Sequence, residues 1–288
     1  MVDKAKQCFN VRIILLLFLV NILHIVTSHV HCTSLLDFIS GAVAMVILGM
    51  VISHQVHHKQ EAKQEKGLLI KEIKLVQRLS IETLATVAEY KDNDTAGHLK
   101  RIRKYTEVLA MGMKKESSQT KWLSKPDYID DLVLGSLLHD IGKVVVPKKI
   151  LTKPGKLTDE EYEIMKQHTT KAGELLEKAS VAFLQATGKK SYLCLAQRIA
   201  MCHHERWDGK GYPYGIKGND IPLSARIVSV VDTYDAMRSK RVYADPISHK
   251  DTMKEIIAQS GKQFDPEVVE VFQKVVKKIK EISDRNYE

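Results

Sequence analysis

Several features that would indicate common protein classes are missing from this sequence. Its four cysteines (Cys8, Cys32, Cys194 and Cys202) show no paired spacing, so neither a disulfide framework nor a zinc knuckle is expected. No basic tract is interleaved with aromatic residues, which make up 6% of the chain, and we therefore expect no nucleic-acid partner. No segment alternates apolar and polar residues as a strand would, so the soluble part is predicted to be all-α.

An excess of positive charge and two apolar runs indicate a membrane. The formal net charge of +9 suits a phosphate-bearing substrate or an anionic membrane face. Residues 13–30 and 35–53 are each close to the ~20 residues that cross a bilayer. Lysine and arginine flank the outer ends of these runs but not the turn at 31–34, which predicts a two-span hairpin over 1–53 with both termini cytoplasmic. A cleaved signal peptide is the alternative for the first run.

Four potential ligands lie in or beside the first apolar run: His24, His29, His31 and Cys32. They could bind haem or another metal. Intramembrane histidines more often face a helix partner or the lipid headgroups, so a bound cofactor is the less favoured interpretation.

Residues 54–84 are predicted to form a helical linker. Apolar residues recur there at spacings of three and four, proline is absent, and Gly67 is the one weak position. The apolar stripe, which continues a few residues further, consists of Leu69, Ile73, Val76, Leu79, Leu84 and Val87. It suits a parallel coiled coil in a homodimer, and packing on the following domain is the alternative.

The remaining residues, 85–288, read as a series of helices with recognisable ends. Asp127 or Asp130 is expected to start a helix that runs into His139-Asp140, with Gly142 as its stop. Residues 158–161 have the sequence of a capping box. The last helix is expected to begin at Asp265-Pro266.

Histidines and aspartates recur beside the apolar stripes of these helices. His203 and His204 are adjacent, and the glycines after them predict that their helix ends there. The two histidines could then bind different metal ions, or one could bind a metal and the other a substrate. Asp140 follows an apolar run, and a buried carboxylate needs a hydrogen-bonding or metal partner. Taken singly, each of these side chains could be ordinarily hydrogen-bonded. The candidate metal ligands are His98, His139, Asp140, His168, His203, His204 and Asp232, with Asp94 one helical turn before His98.

This set of donors favours one kind of chemistry. Nitrogen and oxygen donors without thiolate suit iron or manganese better than a structural zinc. Seven donors exceed the needs of one ion, so two metal ions are predicted, and Asp140 could bridge them. Such a pair would share a hydroxide nucleophile for an in-line displacement at phosphorus, while Lys143 would stabilise charge on a phosphoryl oxygen.

Several motifs occur together in this half of the chain. They are His139-Asp140-Ile141-Gly142-Lys143, His203-His204-Glu205 with Asp208-Gly209 and Gly211-Tyr212-Pro213, Lys153-Pro154-Gly155-Lys156-Leu157-Thr158, Arg226-Ile227, Asp232 with Asp235-Ala236, and Phe264-Asp265-Pro266. Together they resemble the HD-GYP family of cyclic di-GMP phosphodiesterases, a branch of the HD phosphohydrolases, over about residues 85–275. The resemblance implies an all-helical domain with two or three iron or manganese ions. The implied reaction is hydrolysis of cyclic di-GMP to pGpG or GMP, here at a bacterial inner membrane.

Matched position by position, the resemblance assigns roles to single residues. The seven candidate ligands match the metal ligands of the family, and Asp140 and Lys143 match its catalytic residues. Asp94 stands where members with a third metal carry Glu, which favours two ions over three. The implied substrate-binding residues are Lys143, Gly211, Tyr212, Pro213, Arg226 and Asp235.

The resemblance also implies partners and leaves two alternatives open. Diguanylate cyclases and other signalling proteins are candidate partners, beside cyclic di-GMP, the membrane and a second copy of the chain. One alternative is a signalling module that binds a cyclic dinucleotide or a protein without turnover. The other is an HD hydrolase of a different cyclic dinucleotide. The complete set of ligands argues against a degenerate, non-catalytic site.

Overall fold

The structure is a computed structural model that describes residues 35–89, 97–117, 123–239 and 245–285, with side chains from residue 41 onward. The chain divides into two compact units, 1–75 and 76–288. Three predictions lie outside the described residues: the first apolar run at 13–30, the four potential ligands around it, and Asp94.

The first unit is described through one long helix, α1 (Leu35–Glu89), which continues into the second unit. The second apolar run is therefore helical, and the prediction of a continuous helix beyond it is confirmed. Val46, Leu48 and Met50 are more than half exposed on this helix. Among the described residues, the helix Gly41–Glu89 is the one long and apolar enough to cross a membrane, on length and composition.

The second unit consists of helices. In chain order they are α2 (Gly97–Glu116), α3 (Tyr128–Ser136), a 3-10 helix (Ile141–Val145), α4 (Lys148–Leu151), α5 (Asp159–Thr187), α6 (Leu193–Cys202), a second 3-10 helix (Gly218–Asp220), α7 (Leu223–Arg238), α8 (His249–Ala258) and α9 (Pro266–Arg285). The described ranges contain no strand, apart from one isolated bridge between Ser260 and Phe264. The prediction of an all-α fold is confirmed for these residues.

The helix ends follow local sequence signals. The Thr158 hydroxyl accepts a hydrogen bond from the Glu161 amide, and the Glu161 carboxylate accepts one from the Thr158 amide, so the predicted capping box starts α5. α3 begins directly after Asp127, and α9 begins at Pro266, as predicted. Helix α8 had no counterpart among the sequence predictions.

Helix α7 lies at the centre of the core. Its residues Ile227, Val228, Val230 and Val231 have no exposed surface, and every residue from Leu223 to Val231 is buried. Helices α2, α6, α8 and α9 all pack against it. Any polar side chain that α7 carries is therefore held at a fixed position inside the unit.

A close backbone contact corrects the role predicted for Gly142. Helix α3 already ends at Ser136, so Gly142 does not stop it and lies instead in the first 3-10 helix. That segment packs on α5, where a Cβ at position 142 would overlap the carbonyl oxygen of His168 and lie 2.9 Å from the amide nitrogen of Ala172. Glycine is required because the two backbones touch. The contact places Asp140 next to His168.

Candidate metal centre

The structure brings all seven sequence-predicted ligands together in two groups. In each group, one potential ligand atom per residue lies within 4.8 Å of the others. The four-donor group consists of Asp140, His168, His203 and His204, and the three-donor group of His98, His139 and Asp232. Adjacent side chains His139 and Asp140 belong to different groups, yet their Nε2 and Oδ2 atoms are 3.3 Å apart, so the two groups adjoin.

The ligands come from separate elements whose ends or faces meet. His139 and Asp140 lie in the turn after α3, and His168 lies inside α5. Helix α6 ends at Cys202, so the next two residues leave the regular helix. The ring centroids of His203 and His204 are consequently only 4.0 Å apart, and both residues join the same group. The predicted end of the helix explains how adjacent histidines share one site.

Hydrogen bonds fix the orientation of four imidazole rings. The Nδ1 atom of His139 donates to the carbonyl oxygen of Ser136 at 2.8 Å, and that of His168 donates to Met165 at 2.7 Å. The His203 Nδ1 atom donates to the end of α6, and the His98 Nδ1 atom donates to a carboxylate of α7. With Nδ1 protonated, each ring presents the lone pair of Nε2 to the centre, which is the form that binds a metal.

The atoms that face the centre lack other partners. Among the described residues, Nε2 of His139, His168 and His203 and Oδ1 of Asp140 are buried without a hydrogen-bond partner. A buried polar atom left unsatisfied is costly, and four of them converging here require a common partner. A divalent cation satisfies nitrogen lone pairs and carboxylate oxygens together. The residues present therefore fit two metal ions of the kind that N and O donors bind.

Charge states in the four-donor group also suit metal binding. Burial lowers the pKa of His168 to about 4 and the pKa of His204 well below its ordinary value, so both rings are neutral. Burial raises the pKa of the Asp140 carboxyl, but the nearby Lys143 ammonium and His139 outweigh it, and the pKa falls well below the usual range. Neutral imidazoles and an ionised carboxylate are the species that coordinate a cation.

Protons compete with metal at the three-donor group. Burial lowers the pKa of His139, but the adjacent Asp140 and Asp232 carboxylates outweigh it and raise the pKa well above the ordinary value. The hydrogen bond to Asp235 raises the pKa of His98 in the same way against burial. A cation bound here replaces these protons, so metal affinity is expected to weaken as pH falls.

The structure corrects the role predicted for Asp235. Asp235, predicted to contact substrate, is 1% exposed, does not line the cavity described below, and accepts from His98 Nδ1 at 2.8 Å. Arg101 is 4% exposed and donates to both Asp235 oxygens at 2.6 and 2.9 Å. Ser239 also donates to Asp235. This carboxylate therefore positions a ligand.

Arg226 likewise has a structural role in place of the predicted substrate contact. Its guanidinium pairs with the buried Asp265 carboxylate, donates to the side chain of Asn219, and lies 5.6 Å from the centre of the Trp207 ring. Like Asp235, it is absent from the residues that line the cavity. These contacts tie the start of α7 to the start of α9 and the loop between α6 and α7.

The loop after α6 is held against the ligands. The Glu205 carboxylate, 2% exposed, accepts from the Tyr214 amide at 2.7 Å. A Cβ at Gly211 would lie 2.5 Å from the Cα of Glu205, so only glycine fits there. The Tyr212 ring stacks on His204, with centroids 4.7 Å apart and planes 25° apart. The loop thus places an aromatic ring directly beside a metal ligand.

A cavity of about 550 Å³ opens over the two groups. Six of the seven predicted ligands line it, and His139 lies fully buried behind them. Of the predicted substrate-binding residues, Lys143, Gly211 and Tyr212 line the cavity and Pro213 does not. Two further cationic side chains, Arg206 and Lys210, line it as well. Cationic side chains beside a metal centre suit a substrate that carries phosphate.

Two residues near the centre were not assigned by sequence reasoning. Glu89, the last residue of α1, is 5% exposed, and its Oε1 atom lies 3.7 Å from His98 Nε2. Tyr162 lines the cavity from α5. A carboxylate at the end of an apolar stripe and a tyrosine six residues before His168 were the available signals, but neither indicates a site without the fold.

The fold and the donor set define a candidate metal centre in an all-helical unit, and comparison with known proteins gives the family. Residues 82–268, more than half of the chain, match the model of the HD domain. The chain therefore belongs to the HD-domain family. The broader part of the sequence prediction is confirmed, and the narrower assignment to the HD-GYP branch stays a prediction.

Three curated relatives illustrate the similarity. A "Cyclic di-GMP phosphodiesterase" of Vibrio cholerae is 41% identical over 207 residues, which are 72% of this chain and 41% of that protein. A "Cyclic di-GMP phosphodiesterase" of Thermotoga maritima is 36% identical over 269 residues, 86% of this chain and 67% of that protein. A "3'3'-cGAMP-specific phosphodiesterase 2" of Vibrio cholerae is 37% identical over 193 residues, 66% of this chain and 33% of that protein. The chain thus spans well under two thirds of the length of both Vibrio relatives.

Proposed function

We propose that the protein is a membrane-anchored, metal-dependent phosphodiesterase that hydrolyses cyclic di-GMP to pGpG, to GMP, or to both. The observation that carries this proposal is the set of four buried ligand atoms without hydrogen-bond partners that converge beneath a cavity lined in part by Lys143, Arg206 and Lys210. Relatives named cyclic di-GMP phosphodiesterase support the choice of substrate. A cyclic dinucleotide carries two phosphates, which matches the cationic side chains around the cavity.

Different residues of the chain would have different roles in such a reaction. When bound, two divalent ions, iron or manganese, supply Lewis acidity and activate water at neutral pH. Asp140 lies between the two groups of ligands and would contact both ions. The Lys143 Nζ atom is 2.8 Å from the Asp140 Oδ2 atom, so the ion pair holds the ammonium group beside the candidate ligands. There it would stabilise negative charge on a phosphoryl oxygen of a bound substrate. A third ion would need Asp94 and stays a prediction.

A different cyclic dinucleotide is the second candidate substrate. The relative named for 3'3'-cGAMP is about as similar to this chain as the relatives named for cyclic di-GMP. The two dinucleotides share the phosphate chemistry and differ in one base. A substrate panel with both compounds separates the two proposals.

The decisive experiment uses the full chain in detergent, loaded with Fe(II) or Mn(II). We expect metal-dependent conversion of cyclic di-GMP to pGpG or GMP, measured by chromatography of the products. His139→Ala and Asp140→Ala should abolish turnover and lower metal content. Lys143→Met should keep the metal and lower kcat by about 100- to 1,000-fold, as expected for a group that stabilises transition-state charge. A wild-type protein that binds cyclic di-GMP with its metals in place and leaves it intact would instead be a signalling module.

Membrane anchorage is the part of the proposal that rests on α1. The exposed apolar residues of its first half, and the basic residues after them, support a hairpin over 1–53 in a bacterial inner membrane with the domain 85–288 cytoplasmic. Retention in the membrane after alkaline extraction tests the anchor. Labelling of Cys32 by an impermeant thiol reagent from the periplasmic side of intact cells tests the orientation, and labelling only after lysis contradicts it.

The last part of the proposal is a homodimer that forms through the linker 54–84. Leu69, Ile73 and Val76 are each more than half exposed and are spaced by four and three residues, the spacing of a coiled-coil seam. Exposed apolar side chains in such a row gain stability when a second copy covers them.

A further inference from the structure

One side of the cavity is apolar and aromatic. Leu151, Tyr162 and Met165 line it there, next to Tyr212 of the loop after α6. The Tyr162 side chain remains 46% exposed although it belongs to a well-packed helix. Its ring centroid lies 6.0 Å from that of Tyr212, with planes 78° apart. Two tyrosine rings therefore meet edge to face at the rim of the cavity.

Both rings are tied to the metal ligands. Tyr162 lies on α5, which also carries His168, and the capping box fixes the first turn of that helix four residues before Tyr162. The Tyr212 ring stacks on His204 and lies 6.4 Å from the ring of His168. The distance from this aromatic pair to the ligands is consequently set by packed secondary structure.

A cation also adjoins the exposed ring. The Lys166 Nζ atom lies 5.4 Å from the centroid of Tyr162, within the range of a cation–π contact. It is one turn further along α5 and also pairs with Glu163. A positive charge therefore lies beside the exposed ring.

The chemistry of a cyclic dinucleotide matches this arrangement. Its phosphates require metal ions and cations, which the ligand groups, Lys143, Arg206 and Lys210 offer. Its bases are flat and weakly polar on their faces, and aromatic side chains stack on such faces in nucleic-acid sites. If one phosphate lies over the ligands, a base joined to it through the ribose would point toward the side of the cavity where Tyr162 and Tyr212 lie.

We propose that Tyr162 is a substrate-binding residue: one purine of a cyclic dinucleotide stacks on its ring, and the nearly perpendicular Tyr212 ring borders the edge of that purine. This inference rests on the proposed function and adds a residue to its site. Every purine offers a similar face, so Tyr162 contributes affinity without choosing between guanine and adenine.

The test compares Tyr162→Ala with Tyr162→Phe in the full chain loaded with metal. Tyr162→Ala removes the ring on which one base would stack. It is expected to raise KM about 5- to 20-fold for cyclic di-GMP and for 3'3'-cGAMP alike, with kcat within about threefold. Phenylalanine keeps the ring and should stay within about twofold of the wild type. Tyr214→Ala is the matched control, because Tyr214 is 54% exposed in the neighbouring loop and does not line the cavity. Metal content should equal that of the wild type in all three variants.

Equilibrium binding of a phosphorothioate analogue of cyclic di-GMP, which resists hydrolysis, separates this inference from the proposed function. Turnover by the wild type with no change in KM for Tyr162→Ala overturns the inference and leaves the function standing. Binding without turnover, weakened in Tyr162→Ala and unchanged in Tyr214→Ala, supports the inference and overturns the function. Loss of metal in Tyr162→Ala shows a structural role and overturns the inference, and a wild type that neither binds nor hydrolyses overturns both.

Discussion

Replacing Asp235 by Asn should remove one metal ion from the centre and leave the other. The substitution keeps the size of the side chain and removes its charge. The wild-type carboxylate serves His98 through Oδ2 and Arg101 through both oxygens, all within 2.9 Å. An amide has one acceptor oxygen, so either the imidazole or part of the guanidinium loses its acceptor.

The expected magnitude follows from burial. The Arg101 and Asp235 side chains are 5% and 1% exposed, and breaking such a buried pair costs about 3–5 kcal/mol. Because Asn retains one hydrogen bond, we expect the free energy of unfolding to fall by about 2–4 kcal/mol. Loss of a carboxylate behind a ligating histidine lowers metal affinity about 10- to 100-fold. Only the three-donor group contains a ligand that Asp235 contacts.

The assay is the ratio of metal to protein after dialysis against a weak chelator, measured by elemental mass spectrometry beside a urea titration. We expect the ratio to fall from about two ions to about one per chain, because the four-donor group is untouched. Asp251→Asn is the control, since this exposed carboxylate in the first turn of α8 lies far from the ligands and should leave metal content and stability close to those of the wild type. Two ions bound at wild-type affinity, or loss of both from a folded chain, would refute the assignment of Asp235 as a positioning residue.

Three further predictions concern the packing beside His168, the start of α5 and the linker helix. Gly142→Ala should destabilise the second unit by more than about 3 kcal/mol and lower metal content, because its methyl group would overlap the backbone at His168, whereas Gly67→Ala, with nothing within 4 Å, should be neutral or stabilising by thermal melting. Thr158→Ala should lower the free energy of unfolding by about 1 kcal/mol through loss of the cap, with metal content unchanged, and a loss of metal would contradict a purely local role. Ile73→Asp should convert a dimer to a monomer in sedimentation of the detergent-solubilised chain, and an unchanged mass would argue against a coiled coil there.

Much of the fold could be predicted from the sequence because its signals are local. The capping box at Thr158 and the helix start at Asp265-Pro266 act within one turn, and the structure confirms both. The close contact at Gly142 depends on a helix two segments away, so its glycine was read as a helix stop.

The ligands could be named from the sequence, but the roles of their neighbours could not. The histidine and aspartate pair His139-Asp140 lies in a motif whose residue types themselves indicate metal binding, whereas Asp235 and Arg226 were assigned to substrate only through the family resemblance. Both prove to face buried partners from distant parts of the chain: Asp235 pairs with Arg101, and Arg226 pairs with Asp265. Which side of α7 meets which helix is a property of packing, and no local spacing encodes it.

The stacking of Tyr212 on His204 has a consequence for the choice of metal. The Tyr212 ring, which borders the proposed base-binding site, packs on His204, and His204 belongs to the four-donor group. An ion of different radius would tilt the imidazole and, with it, the tyrosine that leans on it. The size of a bound ion would then influence the position of the ring that borders the nucleobase. Exchange of iron for manganese should therefore change how tightly the dinucleotide is held, and not only how fast it is cleaved.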